Sequence, residues 1–320
     1  MGSRSKPGRR LARGARGRGT PSPSRSGARR RLVVVLTIIV AVVAWERLAA
    51  SSGGQPVDAS AFAAGACVAF GPTSGDRGET VFLDAGHGGI DPGAVGSTES
   101  GQTIEEADLT LPVELDAMAL LRADGFRVVV SRTRSTTVLR LGPGDVSGGE
   151  LTLQGVHDDV AARARCANLA KASVLVGIYL DASSSPQSEG SLTAYDPDRP
   201  FSSESLALAG LLQRDVLAAM NARGWDIPND GVQSDSGLGS YNGNAAAGGL
   251  AALAGEYHHL LLLGPAMRGF FSTPTQMPGA VIEPLYVSDP FEGSIADSPG
   301  GQMVIARGIA NAIEQFSRGE

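Results

Sequence analysis

The sequence predicts an α/β domain: a single open, mostly parallel twisted sheet with helices on both faces, preceded by a disordered basic tail and one membrane-anchor helix. Three observations lead there. From Thr80 onward, short β-branched runs alternate with longer amphipathic ones, the rhythm of strands joined by helical crossovers. Strand candidates such as "VLVGIYL" are apolar nearly throughout, as strands covered on both faces are. Ahead of them stand a basic, glycine-rich leader and a 14-residue apolar run, Leu32 to Trp45, broken only by Thr37.

Residues 1–31 hold ten Arg and Lys6 and no acid, a composition that cannot bury a core. Without these eleven, 16 basic residues face 33 acidic ones, so the net charge of -6 hides a strongly acidic remainder. The apolar run covers about 21 Å as a helix, short of the ~30 Å hydrocarbon core. Two readings stand: a cleaved signal segment, or an uncleaved anchor over residues 32–50 extended by snorkelling Arg31 and Arg47. Glu46 and Arg47, where a signal places small neutral residues, favour the anchor. Either way the basic tail stays in the cytoplasm and the acidic part is exported, staying attached to the membrane or secreted if the segment is cleaved. Residues 51–79 are small-residue-rich and read as a linker. Cys67 and Cys166 are an even pair in a chain expected outside, where a disulfide persists.

Within residues 80–320 the strand candidates are Val81 to Asp84, Arg127 to Ser131, Val174 to Leu180, Leu260 to Leu263 and Ala280 to Glu283. Helical spacing marks Glu105 to Ala123, where Leu109, Val113, Ala117 and Leu120 form a stripe, although Pro112 threatens to kink it or delay its start. The other helices are His157 to Lys171, Ser203 to Arg223 and Gln302 to Ser317, the last with Val304, Ile305, Ile309 and Ile313 in register. Gly231 to Gly255 is too long and glycine-rich for an ordinary connection and reads as a functional or mobile loop. About 240 residues suffice for one sizeable core.

Open α/β sheets bind ligands outside the carboxyl ends of their strands. His87 follows the first strand, Glu106 opens the next helix, Tyr179 and Asp181 close the central strand, and Glu283 ends the last. In order, "FLDAGHGGIDPGAVG", "EADLTL", "FRVVVSRTR", "RARCAN" and "AVIEPLYVSDPFE" resemble the zinc-dependent N-acetylmuramoyl-L-alanine amidases, which cut peptidoglycan between the lactyl group and the stem peptide. The resemblance spans about Val81 to Phe316. It implies Zn2+ as cofactor, His87 and Glu106 as ligands, and Glu283 as general acid/base. Zinc with three protein ligands and one open position lowers the pKa of bound water to about 7. Arg163 or a backbone N–H is a candidate to steady the oxyanion.

One departure stands out. The family's third ligand is a histidine, and the matching position in "GIYLDA" is Tyr179, a phenol that must lose a proton at pKa about 10 to coordinate. Asp181, two residues on, projects to the same side of an extended strand and is a substitute ligand suited to zinc or a harder ion. His258 and His259 are a further donor pair, of which one at most faces a metal. His157, beside Asp158 and Asp159, reads as a surface residue at a helix start. The functional expectation is a metal-dependent peptidoglycan amidase. The alternatives are an inactive amidase fold that binds peptidoglycan or regulates its hydrolysis, or a hydrolase of another amide. The acidic domain argues against nucleic acid as a partner.

Overall fold

The computed structural model describes residues 53–236, 238 and 249–319. The basic tail and the expected anchor, residues 32–50, lie outside the described residues, as does much of the glycine-rich loop. Among the described residues no helix is long and apolar enough to cross a membrane.

The first half of the chain runs β1 (Gln55–Pro56), β2 (Ala66–Phe70), β3 (Thr80–Ala85), β4 (Val95–Ser97), β5 (Thr103–Glu105), α1 (Glu106–Ala123), β6 (Arg127–Arg132), β7 (Val146–Ser147) and β8 (Glu150–Leu151). The second half runs α2 (Leu153–Leu169), β9 (Val174–Ile178), β10 (Ser191–Tyr195), α3 (Ser202–Asn221), β11 (Asn229–Ser234), α4 (Gly249–Tyr257), β12 (Gly279–Glu283), α5 (Pro290–Ala296) and α6 (Pro299–Arg318). Eight strands form one sheet in the order β1-β2-β6-β3-β9-β12-β10-β11. Its centre, β6-β3-β9-β12, is parallel, while β2 and β10 join it antiparallel.

Alternation along the central strands sorts the core into two layers. Val81 and Leu83, Val174, Val176 and Ile178, and Ala280 and Ile282 face α1, α3 and α6. Phe82, Leu175 and Val281 face α2 and the segment around Leu262 and Leu263. The helices start on firm caps: Thr152 accepts from Gly155 N at 3.0 Å and Ser298 from Gly301 N at 2.9 Å. α6 stops where Gly319 turns left-handed at φ 73°, a glycine preference.

Pro112 neither kinks away α1 nor delays it, since the helix begins at Glu106 and passes through it. The proline forfeits one bond to the carbonyl of Asp108, a residue on the exposed side of the helix. Leu260 to Leu263, expected as a strand, is instead a buried turn. An apolar run covering a sheet face needs no ladder of its own, and its hydrogen bonds close locally, Leu263 N to Leu260 O at 3.0 Å. The stretch read as a linker contributes β1 and β2, the two strands at one edge of the sheet.

Cys67 on β2 and Cys166 on α2 are joined by a disulfide across 99 residues, and both are fully buried. Closing a loop of that length removes unfolded-state entropy worth about 4 to 5 kcal/mol. Replacing both cysteines by alanine is expected to lower unfolding stability by about 4 kcal/mol in urea titration. Loss of under 1 kcal/mol would show that the bond does not constrain the unfolded chain.

Candidate active site

Past Ala85 the chain turns at once through Gly86, His87 and Gly88. His87 sits at φ 59°, left-handed backbone for which histidine is among the tolerated non-glycine types. The turn is gripped from below by two buried arginines. Arg163 donates to the carbonyls of Ala85 and His87 at 2.6 and 2.7 Å. Arg132, on β6, donates to those of Gly86 and Ala107 at 3.1 and 2.6 Å.

So held, His87 lies between two carboxylates, Nδ1 at 2.9 Å from Asp91 and Nε2 at 3.2 Å from Glu106. Burial alone would depress the imidazole, but hydrogen bonds to Asp91 and Glu106 outweigh it and push its pKa up to about 10. Glu106 is itself buried, 3% exposed. It accepts from the backbone N–H of Leu180 and Ala94, both at 2.9 Å, which fixes it to the segment after β9 and to the backbone of the loop that follows His87. Gly93 lets that loop close over the pair: a Cβ there would come within 2.6 Å of both Glu106 Oε2 and His87 Cδ2.

Tyr179 follows β9 and donates its hydroxyl to Asp84 Oδ2 at 3.0 Å. Asp84 Oδ1 takes Arg163 at 2.8 Å, and Arg163 pairs also with Asp159 at 2.9 Å. Burial first, then the Asp84 carboxylate, hold the phenol well above its ordinary pKa, so it stays protonated. The ring passes over Gly86, where a Cβ would come within 2.5 Å, and meets His87 edge-on at 5.6 Å between centroids. Asp181 accepts from Ala182 N at 2.6 Å and from the Tyr286 hydroxyl. Glu283 closes β12 partly exposed. Burial first, then the carboxylates of Asp181 and Glu106, push its pKa up to about 8.

His87, Tyr179 and Glu283 line one cavity of about 280 Å³, walled by Val156 and Val160 of α2, Leu260, Leu261 and Leu262, and His259. The structure thus joins His87 to Glu106 directly and places Glu283 on the same cavity. Asp181 stands apart: His87, Glu106 and Asp181 do not form a mutual donor group, whereas Asp196, Asp198 and His259 do, within 4.8 Å of one another.

A family model described as N-acetylmuramoyl-L-alanine amidase matches residues 81–315, nearly all of the chain from β3 to α6. The chain belongs to this family. Among curated relatives, the germination-specific N-acetylmuramoyl-L-alanine amidase of Bacillus subtilis (strain 168) is 30% identical over 118 residues, 37% of this chain. That match spans only 45% of the relative's length. Solved amidase structures share the fold. The CwlD amidase of Clostridioides difficile, solved in complex with the GerS lipoprotein, has TM-score 0.55 at 20% identity, covering 76% of this chain and 100% of that one. AmiC2 of Nostoc punctiforme has TM-score 0.52 at 21% identity, covering 76% and 99%. The catalytic domain of CwlV from Bacillus (Paenibacillus) polymyxa var. colistinus has TM-score 0.50 at 23% identity, covering 76% and 99%.

In this amidase-family chain several expectations change. His157 is buried, not a surface residue: its Nε2 lies 2.9 Å from the Phe270 carbonyl and its ring packs on Phe270. Asp159 is not a mere helix-start acid, because it also takes the N–H groups of Val138 and Leu139 at 2.7 Å each. Arg163 spends its guanidinium on Asp84, Asp159 and the turn carbonyls, so it positions His87 from inside the fold instead of facing the cavity. Of the adjacent histidines, His258 is exposed and His259 faces the cavity. Asp91 and Asp84 went unpredicted, although Asp84 sits in the quoted opening strand and Asp91 in its loop.

Proposed function

We propose that the chain is a peptidoglycan amidase that hydrolyses the bond between N-acetylmuramic acid and L-alanine. The supporting observation is that His87, paired with Glu106, and the strand-end Glu283 face a single cavity in a chain of this family. In that reaction water adds to the lactyl carbonyl carbon, the C–N bond breaks, and the amine of L-alanine leaves with a proton. Glu283 is the residue placed to move that proton: as carboxylate it takes one from the attacking water, and as carboxylic acid it returns one to the amine. Its raised pKa keeps both forms accessible near neutral pH.

Zinc is the cofactor the family resemblance implies, and it brings a water of lowered pKa. Tetrahedral zinc places its ligands about 3.4 Å apart and takes three from the protein. His87 Nε2 and Glu106 Oε2, 3.2 Å apart, meet that spacing once the imidazole gives up its proton. The third corner is not met, because Tyr179 donates to Asp84 and Asp181 is bound to Ala182 N–H and Tyr286. The residues therefore do not complete a three-ligand site.

That mismatch favours a second reading, an amidase fold that binds peptidoglycan without cutting it. Dye-labelled peptidoglycan incubated with the full chain separates the two. Soluble dye release is the expected result; retention of the chain on the wall with no release supports the second reading. In that case Tyr179→His is expected to raise zinc binding and release at least tenfold, and an unchanged rate would show that the phenol is not what limits the site.

The folded part is placed outside the cytoplasm, tethered through residues 32–50 or freed by their cleavage. The Cys67–Cys166 bond supports this, since such bonds persist in oxidising compartments, and so does the basic residue excess ahead of the apolar run.

A further inference from the structure

The ends of two neighbouring parallel strands carry a second constellation. Asp196 follows β10, Asp235 follows β11, and His259 arrives from the turn after α4 to lie between them. His259 Nδ1 is 3.1 Å from Asp235 Oδ1 and 3.5 Å from Asp196 Oδ2, and its Nε2 is 3.8 Å from Asp198 Oδ2. Asp196 and Asp235 are 2% and 0% exposed, so two carboxylates are taken out of water around one imidazole.

Most of the polar atoms here are accounted for. Asp196 Oδ1 accepts from Asp198 N at 2.7 Å. Asp235 Oδ2 accepts from Leu260 N at 3.1 Å. The neighbouring Arg199 directs its guanidinium at the carbonyls of Leu263, Gly264 and Thr275. Asp196 Oδ2 is the exception: it is buried and accepts no hydrogen bond. An anionic oxygen left without a hydrogen bond in the interior is costly, and this one lies 3.5 Å from His259 Nδ1 within the group it forms with Asp198.

We infer that Asp196, Asp198 and His259 hold a divalent transition-metal ion, of the Zn2+ or Mn2+ class, at the rim of the cavity. One imidazole with two carboxylates is a donor set for such ions, and one ligating atom from each lies within 4.8 Å of the others, so side-chain rotation brings them toward the roughly 3.4 Å of a tetrahedral shell. The ion supplies the missing partner of Asp196 Oδ2. Asp235 takes the place of the outer carboxylate that orients a ligating imidazole. The ion ties the ends of β10 and β11 to the turn carrying Leu260, Leu261 and Leu262, the apolar wall facing His87 and Glu283. This site shares no residue with the His87 and Glu106 pair.

The test is equilibrium dialysis of the chelator-stripped full chain, in mild detergent, against Zn2+ and separately Mn2+, with elemental analysis of bound metal. Glu106→Gln, which disables the other pair, is expected to retain one ion per chain. Asp196→Asn combined with Asp198→Asn is expected to lose one ion relative to wild type, and His259→Gln reads the same site should the double variant not fold. Asp235→Asn is expected to weaken that ion's binding about 10- to 100-fold. The inference is overturned if folded Glu106→Gln binds neither metal, or if the Asp196, Asp198 and His259 variants keep the wild-type stoichiometry. Neither outcome bears on peptidoglycan cleavage, which the dye-release assay reads separately.

Discussion

Glu283→Gln is expected to lower the rate of amide cleavage by about 10² to 10⁴-fold with the fold intact, the usual worth of a positioned general acid/base. Glutamine matches the side chain in shape but neither takes nor gives the proton. Because burial and the carboxylates of Asp181 and Glu106 already disfavour charge on Glu283, removing that charge should leave stability equal or higher. The loss should fall on kcat, since the residue acts on the proton in flight and not on substrate binding. A variant within tenfold of wild type in kcat would remove Glu283 from the chemistry.

Arg163→Met should produce the largest loss of stability of any single change near the site. The guanidinium is 1% exposed and compensates Asp84 and Asp159, themselves buried. Removing one partner from a buried ionic network strands the others, at a cost of about 3 to 5 kcal/mol. The same change releases the carbonyls of Ala85 and His87, so the histidine turn loses its footing and activity falls with stability. Denaturant titration measures the first effect. Adding Asp84→Asn should recover part of the loss, because one of the two stranded charges is then gone; a single variant costing under 1 kcal/mol would mean the network contributes little.

The parts of the fold legible in the sequence are those whose burial leaves a periodic trace. β3, β6, β9 and β12 are nearly continuous apolar runs, and α1 and α6 carry stripes at helical spacing. β10 and β11 escaped because "SLTAY" and "NDGVQS" hold no continuous apolar run like those of the central strands; their place is set by pairing beside β12, a tertiary effect. Leu260 to Leu263 misled for the opposite reason, being apolar enough for a strand while serving as a buried turn. An apolar run records burial without recording backbone conformation.

At the site, His87 and Glu106 were legible through the motif, and their pairing at 3.2 Å follows from glycines that let the loop fold over them. Asp159 carried a readable signal in its four-residue spacing to Arg163, outweighed by the expectation that the helix starts at His157, although it starts at Leu153. Of the Asp196, Asp198 and His259 group only His259 was legible, as one of a candidate donor pair. Asp196 and Asp198 follow β10 while His259 comes from the turn after α4, so the group forms only in the folded chain.

The most direct measurement is the identity of the bond cut. Purified peptidoglycan digested by the full chain and analysed by mass spectrometry should yield stem peptides beginning with a free L-alanine amine, and glycan strands bearing intact lactyl carboxylates. Soluble fragments in which muramic acid still carries its peptide, or no soluble product at all while the chain stays bound to the wall, would contradict the account.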